Sequence, residues 1–330
     1  MPVERGTLSL IFRNRDMGLE FLKVDVFSLI TTFSTRFLGI FIEAVSFLLL
    51  GTLISGLLEA FVTHDDIVRI MPRRTIPAIL VGSLLGFLFP VCECGVVPVT
   101  RKLYQKGLPV SVGITFLLAA PVMNPIVLAS TFAAFGIGPV LIGRYVISWI
   151  MAVGIGLLFS FQPNTQRVIK PSALALITGG SDEAVLETAA RMALVPGLIH
   201  ALRAASGEFF EMGRYLIIGS LLAALMQTVI SQEALKSLAS SPITSVLVMA
   251  ALAFVLSLCS TVDAFLALSF ARTFTVGSIL TFLTFGPMVD IKTTSMYLSL
   301  FRRRTVAYLV VLPLLISTLF GIWLNLNVRF

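Results

Sequence analysis

Two stretches decide the architecture: FIEAVSFLLLGTLISGLLEA at residues 41–60 and FFEMGRYLIIGSLLAALMQT at residues 209–228. Each is long enough to cross a bilayer, since a membrane-spanning helix needs about 20 mostly apolar residues. Laid over one another at a shift of 168, they place Glu43 on Glu211, Gly51 on Gly219 and Glu59 on Gln227. At a shift of 167, Cys92 falls on Cys259. At 166, ITFLLAAPVMN (114–124) falls on LTFLTFGPMVD (280–290), superposing Thr115 on Thr281, Pro121 on Pro287 and Asn124 on Asp290. Three ordered blocks that drift by only two residues point to an internal duplication.

Working outward, the chain divides into an N-terminal amphipathic, interfacial segment (1–36), a first membrane repeat (37–161), a polar connector (162–204) and a second repeat (205–330). Within the first segment, 17–35 reads as a helix lying on the membrane surface. Residues 1–26 carry Glu4, Asp16, Glu20 and Asp25, which does not suit a cleaved leader. Each repeat offers a long span (37–62; 209–230), a second span ending at a cysteine (76–91; 242–258), a short polar-interrupted piece (92–106; 259–272), a proline-broken span (108–135; 274–298) and a closing span (138–160; 305–325). The expected fold is an all-α polytopic membrane protein with eight spans if every one crosses. If instead the broken spans re-enter at Ala119–Pro125 and its counterpart, each repeat crosses an odd number of times and the repeats are inverted. Arg69, Arg73 and Arg74 compete with Arg101, Lys102 and Lys106 for the cytoplasmic side, so charge bias leaves the choice open. In the connector, GGSDE (179–183) opens a helix-like stretch, 182–192, with acidic residues suited to its first turn.

Composition excludes most alternatives. The 330 residues are 57% hydrophobic and 12% charged, against about 45–50% and 25% in soluble domains. A net charge of +7 comes from arginine clusters beside apolar spans, which reads as topology signal and lipid phosphate contact rather than nucleic-acid binding. Three cysteines cannot build a disulfide framework. No P-loop is present, and His64 and His200 fall outside the spans, so neither an enzyme nor a cofactor is implied and the energy source is an ion gradient or a separate partner.

Polar groups within the bilayer need partners, and unwound backbone survives there only where it lines a cavity or is buried in protein. Pro121 and Pro125 flank Asn124, and Pro287 precedes Asp290 at the equivalent place, so both breaks are candidate binding elements. Cys92, Glu93 and Cys94 place two thiols and a carboxylate within three residues, and Cys259 is the repeat-equivalent thiol. Thiolates favour soft ions, so Cys92, Cys94 and Cys259 are a candidate ligand set for a thiophilic centre. Glu59, Asp263, Asp290 and Lys292 are ionisable residues within spans, which by default mark a pathway or proton relay; Asp290 and Lys292 are close enough in sequence to neutralise each other.

At these residues the chain resembles a known family. Cys92-Glu93-Cys94-Gly95 after a proline-ended span, Ala119–Pro125, the run from Cys259 to Phe265 containing Asp263, and Phe282–Lys292 together resemble the predicted bacterial permeases related to the organoarsenical efflux permease (ArsP-like, YraQ-type). The resemblance covers about 37–325 and implies a multi-pass inner-membrane permease, with relatives that export trivalent organoarsenicals. Glu93 stands where that pattern has a small residue such as Ser, and a carboxylate between two thiols suits a cation better than a neutral arsenical.

The resulting expectation is a secondary transporter, of efflux type, for a small thiophilic substrate (metalloid, organoarsenical or soft metal). Its site is drawn from Cys92, Glu93, Cys94, Asn124, Cys259, Asp263 and Asp290. The expected partners are membrane lipid and the substrate or ion, with assembly of several copies of the chain left open. The alternative is a transmembrane thiol–disulfide electron carrier in which Cys92 and Cys259 exchange a disulfide.

Overall fold

The computed structural model describes residues 6–72, 74–89, 91–161, 168–170, 194–229, 241–271 and 273–327; the 182–192 stretch lies outside them. Among the described residues the regular structure is helical, with one isolated bridge between Ile169 and Phe301. This is what a bilayer dictates, since a helix satisfies its own backbone polar groups where water cannot. The helices are α1 (Gly6–Phe61), α2 (His64–Ile70), α3 (Thr75–Leu88), α4 (Glu93–Gln105), α5 (Val110–Met123), α6 (Pro125–Phe135), α7 (Pro139–Ser160), α8 (Leu194–Val229), α9 (Pro242–Leu256), α10 (Asp263–Phe270), α11 (Val276–Phe285), α12 (Ile291–Leu300) and α13 (Arg303–Asn327). Five stretches are long and apolar enough to cross: Phe27–Phe61, Val110–Phe135, Pro139–Ser160, Val195–Val229 and Arg303–Asn327. Three shorter apolar helices lie at Thr75–Phe87, Pro242–Leu256 and Val276–Phe285. The chain is an all-α, polytopic membrane protein.

The long helices α1 and α8 pack antiparallel. Toward one end Ser55 donates to Glu208 and Glu59 pairs with His200, while toward the other the Arg36 guanidinium reaches the Gln227 carbonyl. No break sets off the first 36 residues, because α1 runs unbroken from Gly6 to Phe61; α8 likewise begins inside the expected connector, at Leu194.

Two helical hairpins lie inside this frame. His64 Nδ1 is 2.9 Å from the Lys106 carbonyl, and α3 runs parallel to α5, with Gly82 against Val112 and Gly86 against Ala120. The start of α3, the end of α4 and the start of α5 therefore share one end of the bundle, and Val91 and Cys92 lie at the hairpin's inner tip. The second hairpin, α9–α10, opens at the other end. There Ser245 Oγ lies 2.7 Å from Ser278 Oγ, and Asn325 accepts from Gly277 N–H (3.0 Å) and donates to the Pro242 carbonyl (3.0 Å). Its tip begins at Ser257, whose φ of 48° closes α9 with a left-handed residue.

The chain's inward turns thus fall at 89–92 and 257–262, not in the proline-broken spans. In the broken span α6 crosses onto α10 instead of folding back along α5. Nor does Pro121 make the break. It sits inside α5, and the helix stops three residues later at Asn124, whose ψ of 152° is extended. Pro125 then occupies the first turn of α6, where a missing N–H costs nothing. Pro287 does lie in a break, the turn between α11 and α12.

The contacts repeat. Gly156 of α7 packs on Thr115 of α5, and Gly321 of α13 packs on Thr281 of α11; in both cases a side chain at the glycine would overlap the threonine hydroxyl. Each threonine turns its hydroxyl back to the carbonyl four residues earlier, at 2.9 Å in both cases. Small residues at such crossings let helices approach where no water-driven force exists between them.

Candidate substrate site where four half-helices meet

Four helices begin in the interior of the bundle: α4, α6, α10 and α12. The Cys92 carbonyl accepts from Gly95 N–H (3.1 Å) and Val96 N–H (3.0 Å), opening α4. The Cys259 carbonyl accepts in the same way from Val262 N–H and Asp263 N–H (both 3.0 Å), opening α10. Asn124 caps α6 by accepting from Val127 N–H at 2.9 Å, and Asp290 caps α12 by accepting from Thr293 N–H at 2.6 Å. Asn and Asp are preferred caps because their short side chains satisfy otherwise orphaned donors. These are the residues that the sequence pairs across the two halves.

The four N-termini converge. Asn124 Nδ2 reaches toward the Val91 carbonyl at 3.5 Å, tying α6 to the tip of the α3–α4 hairpin. Lys292 of α12 contacts Glu93 of α4 at 3.2 Å and Asp290 at 3.8 Å. The Cys94 thiol neighbours Cys92, and Cys94 and Cys259 both lie within electrostatic reach of the Lys292 ammonium. Glu93 in turn lies within electrostatic range of Cys259, Asp263 and Tyr297. Glu93, Asp290 and Lys292 are each no more than 1% exposed. Helix N-termini carry partial positive charge, which favours carboxylates placed there; Glu93 and Asp263 sit in the first turns of α4 and α10.

A second buried ion cluster stands beside the first. Arg144 of α7 grips Asp263 through Nη1–Oδ1 (3.0 Å) and Nη2–Oδ2 (2.8 Å), and it also donates to Thr131 Oγ1 (2.9 Å) and the Ser260 carbonyl (3.3 Å). Both Asp263 oxygens are thereby occupied, which suits a fixed strut and not the proton relay expected of Asp263. The cluster of Glu93, Asp290 and Lys292 is different. Glu93 Oε2, Asp290 Oδ2 and Thr293 Oγ1 are buried without a hydrogen-bond partner, as is Ser260 Oγ nearby.

Other expectations are corrected. Glu59 belongs to a cluster at the basic end of the bundle, paired with Lys102 (2.6 Å) and His200 (3.6 Å), and lies apart from the interior site. Lys292 takes Glu93, on the other half of the chain, as its nearer partner instead of Asp290. Among the described residues no group of three or more His, Cys, Asp and Glu is placed to hold a metal ion. Cys92, Cys94 and Cys259 therefore do not form a three-thiol centre in this conformation. Arg144 escaped the reading of the sequence altogether, although one arginine inside PVLIGRYVISWI (139–150) was the available signal.

The ArsP-type family model, described as "Predicted permease", spans residues 29–326. The chain belongs to this permease family. It is 44% identical over 275 residues to the UPF0718 protein YcgR of Bacillus subtilis (strain 168), covering 83% of this chain and 90% of that one. It is 38% identical over 279 residues to a Streptococcus mutans serotype c (strain ATCC 700610 / UA159) protein named "Putative two-component membrane permease complex subunit", covering 83% and 88%. No solved structure matches. The permease is a multi-pass membrane transporter whose polar interior groups gather where its interrupted helices meet.

Proposed function

We propose that this permease is a secondary transporter of the bacterial inner membrane, built from two inverted repeats and exporting a small thiophilic substrate. One observation carries the reading: four half-helix N-termini converge where two hairpins from opposite ends meet, with Glu93 and Asp290 against Lys292, Cys94 and Cys259 within its electrostatic reach, and Asn124 tied to the hairpin tip next to Cys92. Discontinuous helices at a repeat interface are the usual way to build a transport site near the bilayer midplane. The α3 helix has 14 residues, about 21 Å at 1.5 Å per residue, so its tip lies well inside a hydrocarbon core of about 30 Å.

Opposed directions support inversion: α1 against α8, the α3–α4 hairpin against α9–α10, and α7 against α13 run oppositely. The end holding Glu59 carries Arg69, Arg74, Lys106, Lys170 and Arg302–Arg304, while the described loops at the other, 136–138 and 273–275, carry no charge. The positive-inside rule favours the basic end as the cytoplasmic one. Glu93, Asp290 and Lys292 sum to one surplus negative charge, which favours a cationic cargo. The Streptococcus relative's name describes a complex subunit, and a second membrane component is a reasonable partner here too.

The test is flux in proteoliposomes with Ag(I) or a trivalent arsenical as cargo. Parent protein moves at least one of them, and Cys94→Ser with Glu93→Gln abolishes that flux while Glu59→Gln leaves it. Parent-like flux in the double variant sinks the site. Equal loss on Cys92→Ser and Cys259→Ser with Cys94→Ser silent would favour the thiol–disulfide carrier instead.

A further inference from the structure

At the basic end, away from the interior site, a cavity of about 930 Å³ lies between α7 and α13. Its upper wall is Arg302, Arg303 and Arg304; its lower wall includes Leu158 of α7 with Tyr308 and Leu312 of α13. Among the described residues no acidic side chain lines it, and none of the three arginines has a carboxylate partner. All three are exposed.

The arginines are nonetheless firmly placed. Arg302 N–H donates to the Val168 carbonyl (3.0 Å), Lys170 N–H to the Leu300 carbonyl (3.0 Å), and Thr305 Oγ1 to the Val168 carbonyl (3.1 Å). This pinch fixes the chain where α13 starts. Arg303 and Arg304 then open a 25-residue helix, the end where free N–H groups and the helix dipole already present positive charge. Cations there carry the unfavourable sign, so guanidinium groups and helix end together call for an anion. Directly beneath, the lining becomes apolar along two membrane-crossing helices, with Tyr308 exposed at the boundary. A free anion would use the upper wall alone; a phospholipid uses both.

We propose that Arg302–Arg304 and the trough below them form a binding site for one anionic phospholipid, its phosphate against the guanidinium groups and an acyl chain along Leu158 and Leu312. The charge complementarity is that of an anionic leaflet; it rests on the proposed orientation only for which leaflet that is, and not on the transported cargo.

The experiment compares melting of the purified full chain in detergent with added phosphatidylglycerol, phosphatidylcholine or inorganic phosphate, alongside native mass spectrometry of retained lipid. Phosphatidylglycerol raises the parent's midpoint above the phosphatidylcholine value and remains bound. Arg303→Gln with Arg304→Gln removes that difference, whereas Arg69→Gln, an exposed arginine at the same end but outside the cavity, keeps it. Leu312→Trp, which fills the trough without altering charge, also removes it and serves if the arginine variant fails to fold. No preference in the parent, an unchanged preference in both cavity variants, or full reproduction of the shift by inorganic phosphate each overturns the proposal.

Discussion

Arg144 and Asp263 meet through two parallel hydrogen bonds of 3.0 and 2.8 Å inside the bundle, from helices on different halves of the chain, with side chains 0% and 3% exposed. A pair so buried holds position more than it adds stability, because each charge has lost its water. Removing one member leaves the other stranded.

Arg144→Met is expected to destabilise the permease by about 3–5 kcal/mol, the usual cost of an uncompensated buried charge. Arg144→Met with Asp263→Leu should recover a large part of it. Thermal melting in detergent measures both. A double variant no better than the single one contradicts the strut assignment.

Lys292→Met strands two carboxylates, Glu93 and Asp290, and is expected to cost at least as much as Arg144→Met. Adding Glu93→Gln should restore more stability than adding Glu59→Gln, because Glu59 is paired with Lys102 elsewhere. Equal rescue by the two would separate Lys292 from Glu93.

The threonine–glycine crossings predict matched behaviour in the two halves. Gly156→Ala and Gly321→Ala should each lower the melting midpoint, since the new methyl overlaps the hydroxyl of Thr115 or Thr281. Thr115→Ala should partly rescue the first and Thr281→Ala the second. Crossed rescue, or none, argues against equivalent packing.

Cargo chemistry offers the last prediction. If a soft cation binds beside Lys292, Cys94→Ser should weaken its binding by at least tenfold, about 1.4 kcal/mol, while Asp263→Asn acts chiefly on stability. Isothermal titration of the detergent-purified chain with Ag(I) measures the first effect and melting the second. Unaltered affinity in Cys94→Ser removes that thiol from the site.

Part of the candidate site was legible because the two halves of the chain carry matching residues. Cys92 with Cys259, and Asn124 with Asp290, stand at helix openings with the same capping geometry, and a shift near 167 finds them without any structure. The placement of the inward turns was not legible. Proline is the loudest local signal, and Pro121 drew attention to a helix that continues past it for two residues; a proline near a helix end removes one hydrogen bond and bends little else. Pro90, just ahead of Cys92, reads in the sequence only as the end of a span, and only packing of α3 along α5 reveals that the chain comes back there. Glu59 misled for another reason: hydropathy gives depth along a span but not whether the span overshoots the bilayer. Arg144 and Glu93 find partners 119 and 199 residues away, a separation that no local pattern reports.

Those separations bear on how the protein is made. The first half emerges from the ribosome carrying Glu93 and Arg144, one charge of each sign, destined for the bundle interior but with no mates yet synthesised. Asp263, Asp290 and Lys292 arrive only with the second half. Until then the nascent first half is an unfinished membrane guest, and a chaperone or a tolerant insertase pore must shelter its charges. Cutting the gene within the connector should therefore yield two fragments that are each degraded when made singly and that survive when made together.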